Sequence, residues 1–211
     1  MPETENHPLE PFLPQGARLL LLGSFPPPVS RWSMDFYYPN FQNDMWRVLG
    51  IVFFNDPAYF IKGKAFDRER ISTFCEKKGI ALYDTAMRVV RGSGNASDKF
   101  LEVLEPIDIA CILKRLPSCN TVAVTGQKAA ETLREVIGGN GIGQKVTVPD
   151  IGKYVTFHFR DRIIKWYRMP STSRAYPMSL EKKASYYRDM FNGAELLNGY
   201  SHSMVSGGFV D

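Results

Sequence analysis

Cysteine is scarce in this chain of 211 residues: there are three, at positions 75, 111 and 119, with no C-x-x-C pair. An odd number without close spacing argues against a disulfide framework and a cysteine metal cluster, and reads as free thiols in a reducing compartment. Histidine is equally sparse (His7, His158 and His202). A small-molecule hydrolase would need a nucleophile with its base, and a Ser-His-Asp site centred on His158 has no spacing to support it. There is no G-x-S-x-G elbow, no G-x-G-x-x-G loop after the first strand and no P-loop lysine. Apolar runs such as Leu19 to Leu22 are far too short to span a bilayer. No basic segment followed by an apolar stretch marks a signal peptide, so a cytoplasmic location is expected. Charge of one sign is lacking too: 26 basic and 22 acidic residues leave +4, a bias that permits a nucleic-acid partner without requiring one.

What is present is a core. Hydrophobic residues make up 44% of the chain and aromatics 13%, with several aromatics crowded between Phe36 and Trp46. The length suits one α/β domain over residues 1–192, followed by a Gly- and Ser-rich tail, 193–211, expected to be loosely ordered. Residues 1–15, with prolines at four positions, read as an arm lying on the surface.

Four short apolar segments read as strands: Arg18–Gly23, Ile80–Asp84, Thr121–Thr125 and Ile163–Arg168. Continuous apolar runs of this length suit strands buried on both faces. Helical spacing is expected over Asp44–Val52, Lys64–Lys78, Asp108–Leu116, Gln127–Ile137 and Leu180–Met190, and Ser97 is placed to cap a helix beginning near Asp98. Val146–Val148 and Tyr154–His158 alternate weakly, as in a hairpin-like excursion. Strands alternating with helices predict a three-layer α/β/α fold around a central four-stranded parallel sheet. No long apolar helix face calls for a partner subunit, so a monomer is expected.

In such sheets ligands bind beyond the carboxyl ends of the strands, which directs attention to the loops after Gly23, Asp84, Thr125 and Arg168. After Gly23 comes Ser24-Phe-Pro-Pro-Pro28, then the run Asp35 to Trp46. A glycine at a strand end lets main-chain N–H groups approach a ligand, and aromatic faces beside it suit stacking on a base. Trp46, in phase with Leu49, reads as core; Tyr37 and Tyr38, in a loop before a proline, read as exposed. After the last strand, Pro170-Ser-Thr-Ser-Arg174 offers hydroxyls and a guanidinium of the kind that contact phosphate, although a Ser/Thr loop is more often only a turn. Thr125-Gly126-Gln127 ends a strand at a helix N-terminus, where negative charge is welcome.

In this order and spacing the motifs resemble the uracil-DNA glycosylase superfamily, most of all its hypoxanthine/uracil and mismatch-specific branches. The correspondence rests on Gly23-Ser-Phe-Pro26, on Tyr37-Tyr-Pro-Asn-Phe-Gln-Asn43-Asp-Met-Trp46 and on Pro170-Ser-Thr-Ser173, and runs from about Arg18 to Met190. The resemblance implies a monofunctional glycosylase that releases uracil or hypoxanthine from DNA in base excision repair, without a cofactor or metal. It implies a role in catalysis for Asn43, as the group that holds the attacking water, and stacking under a flipped base for Tyr38. It implies that Ser24, Phe25 and Thr125 line the base pocket, and that Ser171, Thr172, Ser173 and Arg174 press on the DNA backbone. Lys182 and Lys183 read as further phosphate contacts. The chain departs from the family at Phe25, where other branches carry Asn or Asp, at Pro27, usually Gly, and at Met169, often His or Asn. These losses keep open a non-catalytic member that binds DNA or a nucleobase without cleaving it.

Overall fold

The computed structural model describes residues 4–92, 100–139 and 142–197. Its centre is a five-stranded sheet in the order β5-β2-β8-β10-β9. Strands β2 (Leu19–Gly23), β5 (Ile80–Asp84), β8 (Thr121–Thr125) and β10 (Arg162–Met169) run parallel, as read from their apolar runs. β2, β5 and β8 are buried along their whole length, which requires cover on both faces. The expected four-stranded sheet is corrected by a fifth strand. β9 (Tyr154–Phe159) returns as a hairpin partner of β10 and adds an antiparallel edge, with Phe157 and Phe159 buried.

The helices follow from local chemistry. α1 (Met45–Phe54) lays Met45, Trp46, Val48 and Leu49 into the core. α2 (Arg68–Lys78) starts at Asp67, whose carboxylate accepts the Arg70 N–H at 3.1 Å, and stops at Gly79 in the left-handed conformation. α3 (Ile109–Arg115) is capped by Asp108 and α5 (Leu180–Gly193) by Ser179. α4 (Gln127–Gly138) is entered through Gly126 at φ 89°, a turn that disfavours any side chain. Crossovers between parallel strands are right-handed. The step from β2 to β5 and the steps from β5 to β8 to β10 run in opposite directions along the sheet. Hence α1 and α2 cover one face and α3 and α4 the other, with α5 packed on α1 through Phe53 and Phe191, ring centroids 4.9 Å apart. The reversal falls between β2 and β8, a topological switch point where a crevice opens at the strand ends.

Other elements differ from the sequence reading. The helix expected from near Asp98 is not found over residues 101–106: β7 (Leu101–Pro106) pairs there with β6 (Ala86–Arg91), and the expected cap at Ser97 and Asp98 lies outside the described residues. The arm is not a surface appendage. Its β1 (Thr4–Asn6) adds to β6 as the third strand of that sheet, and Phe12 bridges Leu82 across hydrogen bonds of 3.1 and 2.9 Å. A two-stranded hairpin, β3 (Ile61–Lys62) with β4 (Ala65–Phe66), precedes α2 and trims the helix expected from Lys64. The start of the expected loose tail is packed: Leu196 is buried and its N–H donates to Phe191 O at 2.9 Å. Residues 198–211 lie outside the description. Among the described residues no helix is long and apolar enough to cross a membrane.

The thiols divide by burial. Cys75 and Cys119 are buried, and burial pushes the Cys119 thiol up to about 11 and the Cys75 thiol higher still. Cys111 is exposed on α3. In the folded protein a thiol-specific reagent at pH 8 should therefore modify one cysteine rapidly, and Cys111→Ser should abolish that phase. Rapid labelling of two or three thiols in the folded state would contradict this packing.

Candidate active site

The crevice at the switch point is a cleft of about 500 Å³. Its floor is the end of the sheet: Gly23 of β2, Asp84 of β5 and Thr125 of β8. Three loops wall it, namely 24–27, 37–43 and 171–177. Asn43, Ser24, Phe25, Tyr38, Thr125 and Ser171 to Arg174 therefore line one space, although they come from segments up to 150 positions apart, whereas Lys182 and Lys183 do not line it.

The proline loop is held from below. Ser24 O accepts the Ala86 N–H at 3.1 Å and Gly23 O the Thr85 N–H at 2.9 Å. Arg91 grips Glu5 of the arm through two nitrogens (2.9 and 3.1 Å) and also donates to Pro26 O at 3.0 Å. Ser24 and Phe25 are both about nine-tenths buried. Phe25 packs with Ala86, Val89 and Leu101 in a small apolar cluster beneath the loop, so its position supplies no polar side chain.

The aromatic loop turns into the cleft at Tyr38, a non-glycine residue at φ 50°. Its ring lies edge-on to Trp46 and its hydroxyl is 3.5 Å from Thr125 Oγ1. Trp46 is core, as read from its helical phase, and donates through Nε1 to Tyr37 O at 3.0 Å. Tyr37, read as exposed, is buried instead, and its hydroxyl donates to Glu10 O at 2.7 Å. The arm covers it, which no local feature of a Tyr-Tyr-Pro loop foretells. Burial, reinforced by the negative charge of Asp84, holds the Tyr37 hydroxyl protonated far above neutrality. Burial pushes Tyr83 up to about 12, with the charges of Glu10 and Asp84 adding to it. Both are donors at physiological pH, not bases.

Asn43 stands at the cleft wall with a structural duty. Its Oδ1 accepts the Met45 N–H at 2.9 Å, fixing the start of α1, and its backbone bridges Ser173. Arg47 supports it from behind, donating to Phe41 O (2.8 Å) and Asn43 O (3.0 Å) with its guanidinium over the Phe41 ring. The amide nitrogen of Asn43 makes no hydrogen bond among the described residues, so this side chain presents a donor.

Asp44 ties the aromatic wall to the hydroxyl wall. Its N–H donates to Thr172 O at 2.8 Å, and its carboxylate accepts from Lys183 Nζ at 2.9 Å and from Arg174 Nε at 3.2 Å. Lys183 also donates to Ser173 O at 2.9 Å. Lys183 is thus not a surface phosphate contact: its side chain is 1% exposed, and it is aimed inward from α5 to neutralise Asp44. Thr172 is likewise buried, whereas Ser171, Ser173 and Arg174 reach solvent. Ser171 Oγ accepts the Ser173 N–H and Ser173 Oγ the Ala175 N–H, both at 3.2 Å, which leaves each hydroxyl proton to donate outward.

One floor residue, Asp84, and the residue behind it, His7, escaped the sequence reading. Asp84 lies on the floor with 7% exposure, and His7 Nε2 meets its Oδ2 at 2.9 Å. His7, from the arm, has a side chain 1% exposed, wedged against Phe25 and Tyr83 with ring centroids 5.4 and 4.8 Å away. The strand-end position of Asp84 was a usable signal; nothing local to His7 indicated a partner 77 residues away. His158 sits exposed on edge strand β9 and does not line the cleft. Among the described residues no three His, Cys, Asp or Glu side chains gather as a metal site.

No family model matches the chain, and neither does any curated protein sequence. In structure it is similar to a candidate uracil DNA glycosylase from Methanosarcina acetivorans, solved in solution by NMR. The two superpose with a TM-score of 0.62 at 19% sequence identity, over 92% of this chain and 99% of that one. The fold is thus that of a mixed α/β protein of the uracil-DNA-glycosylase type.

The Asp44 cross-link carries a prediction. Lys183→Met leaves a buried carboxylate short of its main counter-ion and should lower unfolding free energy by about 3–5 kcal/mol, measured by denaturant titration. The double variant Asp44→Asn/Lys183→Met should lose much less than the sum of the two single changes. A loss below about 0.5 kcal/mol for Lys183→Met, the level of an ordinary surface change, would contradict the cross-link.

Proposed function

We propose that the protein is a DNA N-glycosylase that releases a deaminated base, uracil or hypoxanthine, from DNA. The observation that carries this reading is the cleft itself: a slot of about 500 Å³, roomy enough for a base, at the switch point of a glycosylase-type fold, with an aromatic side chain, two hydroxyls and a strand-end glycine around one floor. A base enters such a slot only after leaving the duplex, at a cost of a few kcal/mol that is least at a mismatch or lesion. Stacking on Tyr38 would return about 1–3 kcal/mol. Thr125 Oγ1 and Ser24 contact the base edge. The main-chain N–H groups of Ser24 and Phe25 meet the negative charge that grows on the departing base, as an oxyanion hole does.

In this reading Asn43 acts through its amide nitrogen. Its oxygen is already engaged by Met45 N–H, so the group it offers is a donor, suited to a base carbonyl or a sugar oxygen. A bond donated to the attacking water would hold it in place but would draw electron density from its oxygen, so the base or the sugar is the better partner. Ser171, Ser173 and the outer face of Arg174 hold DNA phosphates, while Thr172 shapes the loop from beneath. Phe25 favours the competing reading of a binder that does not cleave, because it puts an apolar ring where other branches carry Asn or Asp.

Oligonucleotides bearing uracil, hypoxanthine or thymine opposite guanine, followed by alkaline cleavage of abasic sites, separate the two. The glycosylase reading expects strand scission with at least one of the first two substrates. It also expects Asn43→Ala to slow release by about 100-fold, the scale of losing one oxyanion donor, with binding retained. Binding without scission on all three substrates would establish the non-catalytic reading, and equal release by wild type and Asn43→Ala would remove Asn43 from the reaction.

A further inference from the structure

Hydrolysis of an N-glycosidic bond needs an acceptor for the proton of the attacking water. Around the cleft most side chains seen from the sequence are donors or already engaged. Thr125 lies beside the Tyr38 hydroxyl, Asn43 Oδ1 is held by Met45 N–H, and Ser171 and Ser173 are bound to their own loop. Phe25 is apolar. Asp84 is different. One carboxylate oxygen, Oδ2, is held by His7, while the other, Oδ1, makes no hydrogen bond to any described residue and lies directly over Gly23. A side chain at Gly23 would collide with Oδ1, so the glycine is what allows the carboxylate to sit across the end of β2. The same point above Gly23 is 3.6 Å from the Tyr38 hydroxyl. A carboxylate this buried costs free energy unless it is partnered, and here the partner arrives from the arm. His7 reaches Asp84 because β1 is zipped to β6 and because Arg91 binds both Glu5 and the proline loop.

We propose that Asp84 is the catalytic carboxylate of the cleft and that His7 is its positioning residue. The proposal rests on the glycosylase reading above and names the group that reading lacks. In the step, the C1′–N bond breaks and its electron pair leaves with the base, while the water oxygen forms the new bond to C1′. The proton released by that water passes to Asp84 Oδ1 and is then returned to the anionic base through solvent, so the free base and the sugar hydroxyl are the only products. While still charged, Asp84 also stabilises the cationic sugar. His7 fixes which oxygen faces the cleft and keeps the carboxylate from rotating away. The N-terminal arm is thereby part of the active site, and the apolar Phe25 is explained: its ring forms one side of the slot that holds His7.

The test uses the full-length chain under single-turnover conditions with a uracil or hypoxanthine oligonucleotide, alongside binding to the same oligonucleotide carrying a 2′-fluoro nucleoside that resists cleavage. Asp84→Asn keeps the size of the side chain and its contact with the arm; release should fall about 100-fold or more, the usual scale of a positioned base, with analogue binding changed less than about threefold. For His7, Gln can still donate to Asp84 whereas Phe cannot. His7→Gln should retain release within about tenfold and His7→Phe should lose it as Asp84→Asn does, with thermal melting of each variant confirming folding. Release by Asp84→Asn at the wild-type rate, or a loss of binding as large as its loss of release, overturns the assignment of Asp84. Equal impairment of folded His7→Gln and His7→Phe overturns the positioning role. If wild type releases no base, the glycosylase reading falls, and this assignment with it; if wild type releases base and Asp84→Asn matches it, only this assignment falls.

Discussion

The cleft depends on a buried carboxylate between two loops that the chain separates by about 130 residues. Asp44 sits at the start of α1, between the aromatic wall and the hydroxyl wall; Lys183 and Arg174 satisfy its carboxylate, and its backbone N–H donates to Thr172 O. A lysine with a side chain 1% exposed is costly to desolvate. Its presence therefore marks a constraint of geometry: an apolar pair in its place could pack as well but would not set the register of one loop against the other. With Asp44 in place, Asn43 faces Ser173 and the slot keeps its width.

A second constraint acts at the floor. Parallel strands bring Gly23 and Asp84 side by side in register, and the absence of a Cβ at Gly23 lets the carboxylate lie over the backbone. The arm completes the arrangement. Glu5, His7, Glu10 and Phe12 each meet a different part of the body: Arg91, Asp84, Tyr37 and Leu82 respectively. Residues 4–12 thereby form part of the support of the site.

Much of the fold was legible because it is built from buried parallel strands and capped helices, whose signals are local. Leu19–Leu22 and Thr121–Thr125 read as strands since both their faces are covered, and Gly79 and Ser179 mark helix ends by conformation and capping. The edge strand β9 was weaker because none of Tyr154–Thr156 is buried, so its alternation is carried only by Phe157 and Phe159. The sheet of β1, β6 and β7 was missed because β7 carries exposed glutamates at 102 and 105 that break its apolar pattern and β1 is three residues long. At the site, the loops were legible through their unusual composition. The residues that hold them were not. Lys183 reads like any helix lysine, Tyr37 like any loop tyrosine and His7 like a terminal histidine, until partners 139, 27 and 77 positions away are placed beside them.

The central claim is that this strand-end slot takes an extrahelical base. The most direct measurement is a crystal structure of the protein with a duplex carrying a single 2′-fluoro-deoxyuridine or 2′-fluoro-deoxyinosine. The account expects that nucleotide out of the stack, its base against Tyr38 between Ser24 and Thr125, and its sugar carbon facing Asp84. A base still stacked in the duplex, or DNA seated on another face with the cleft empty, would contradict it.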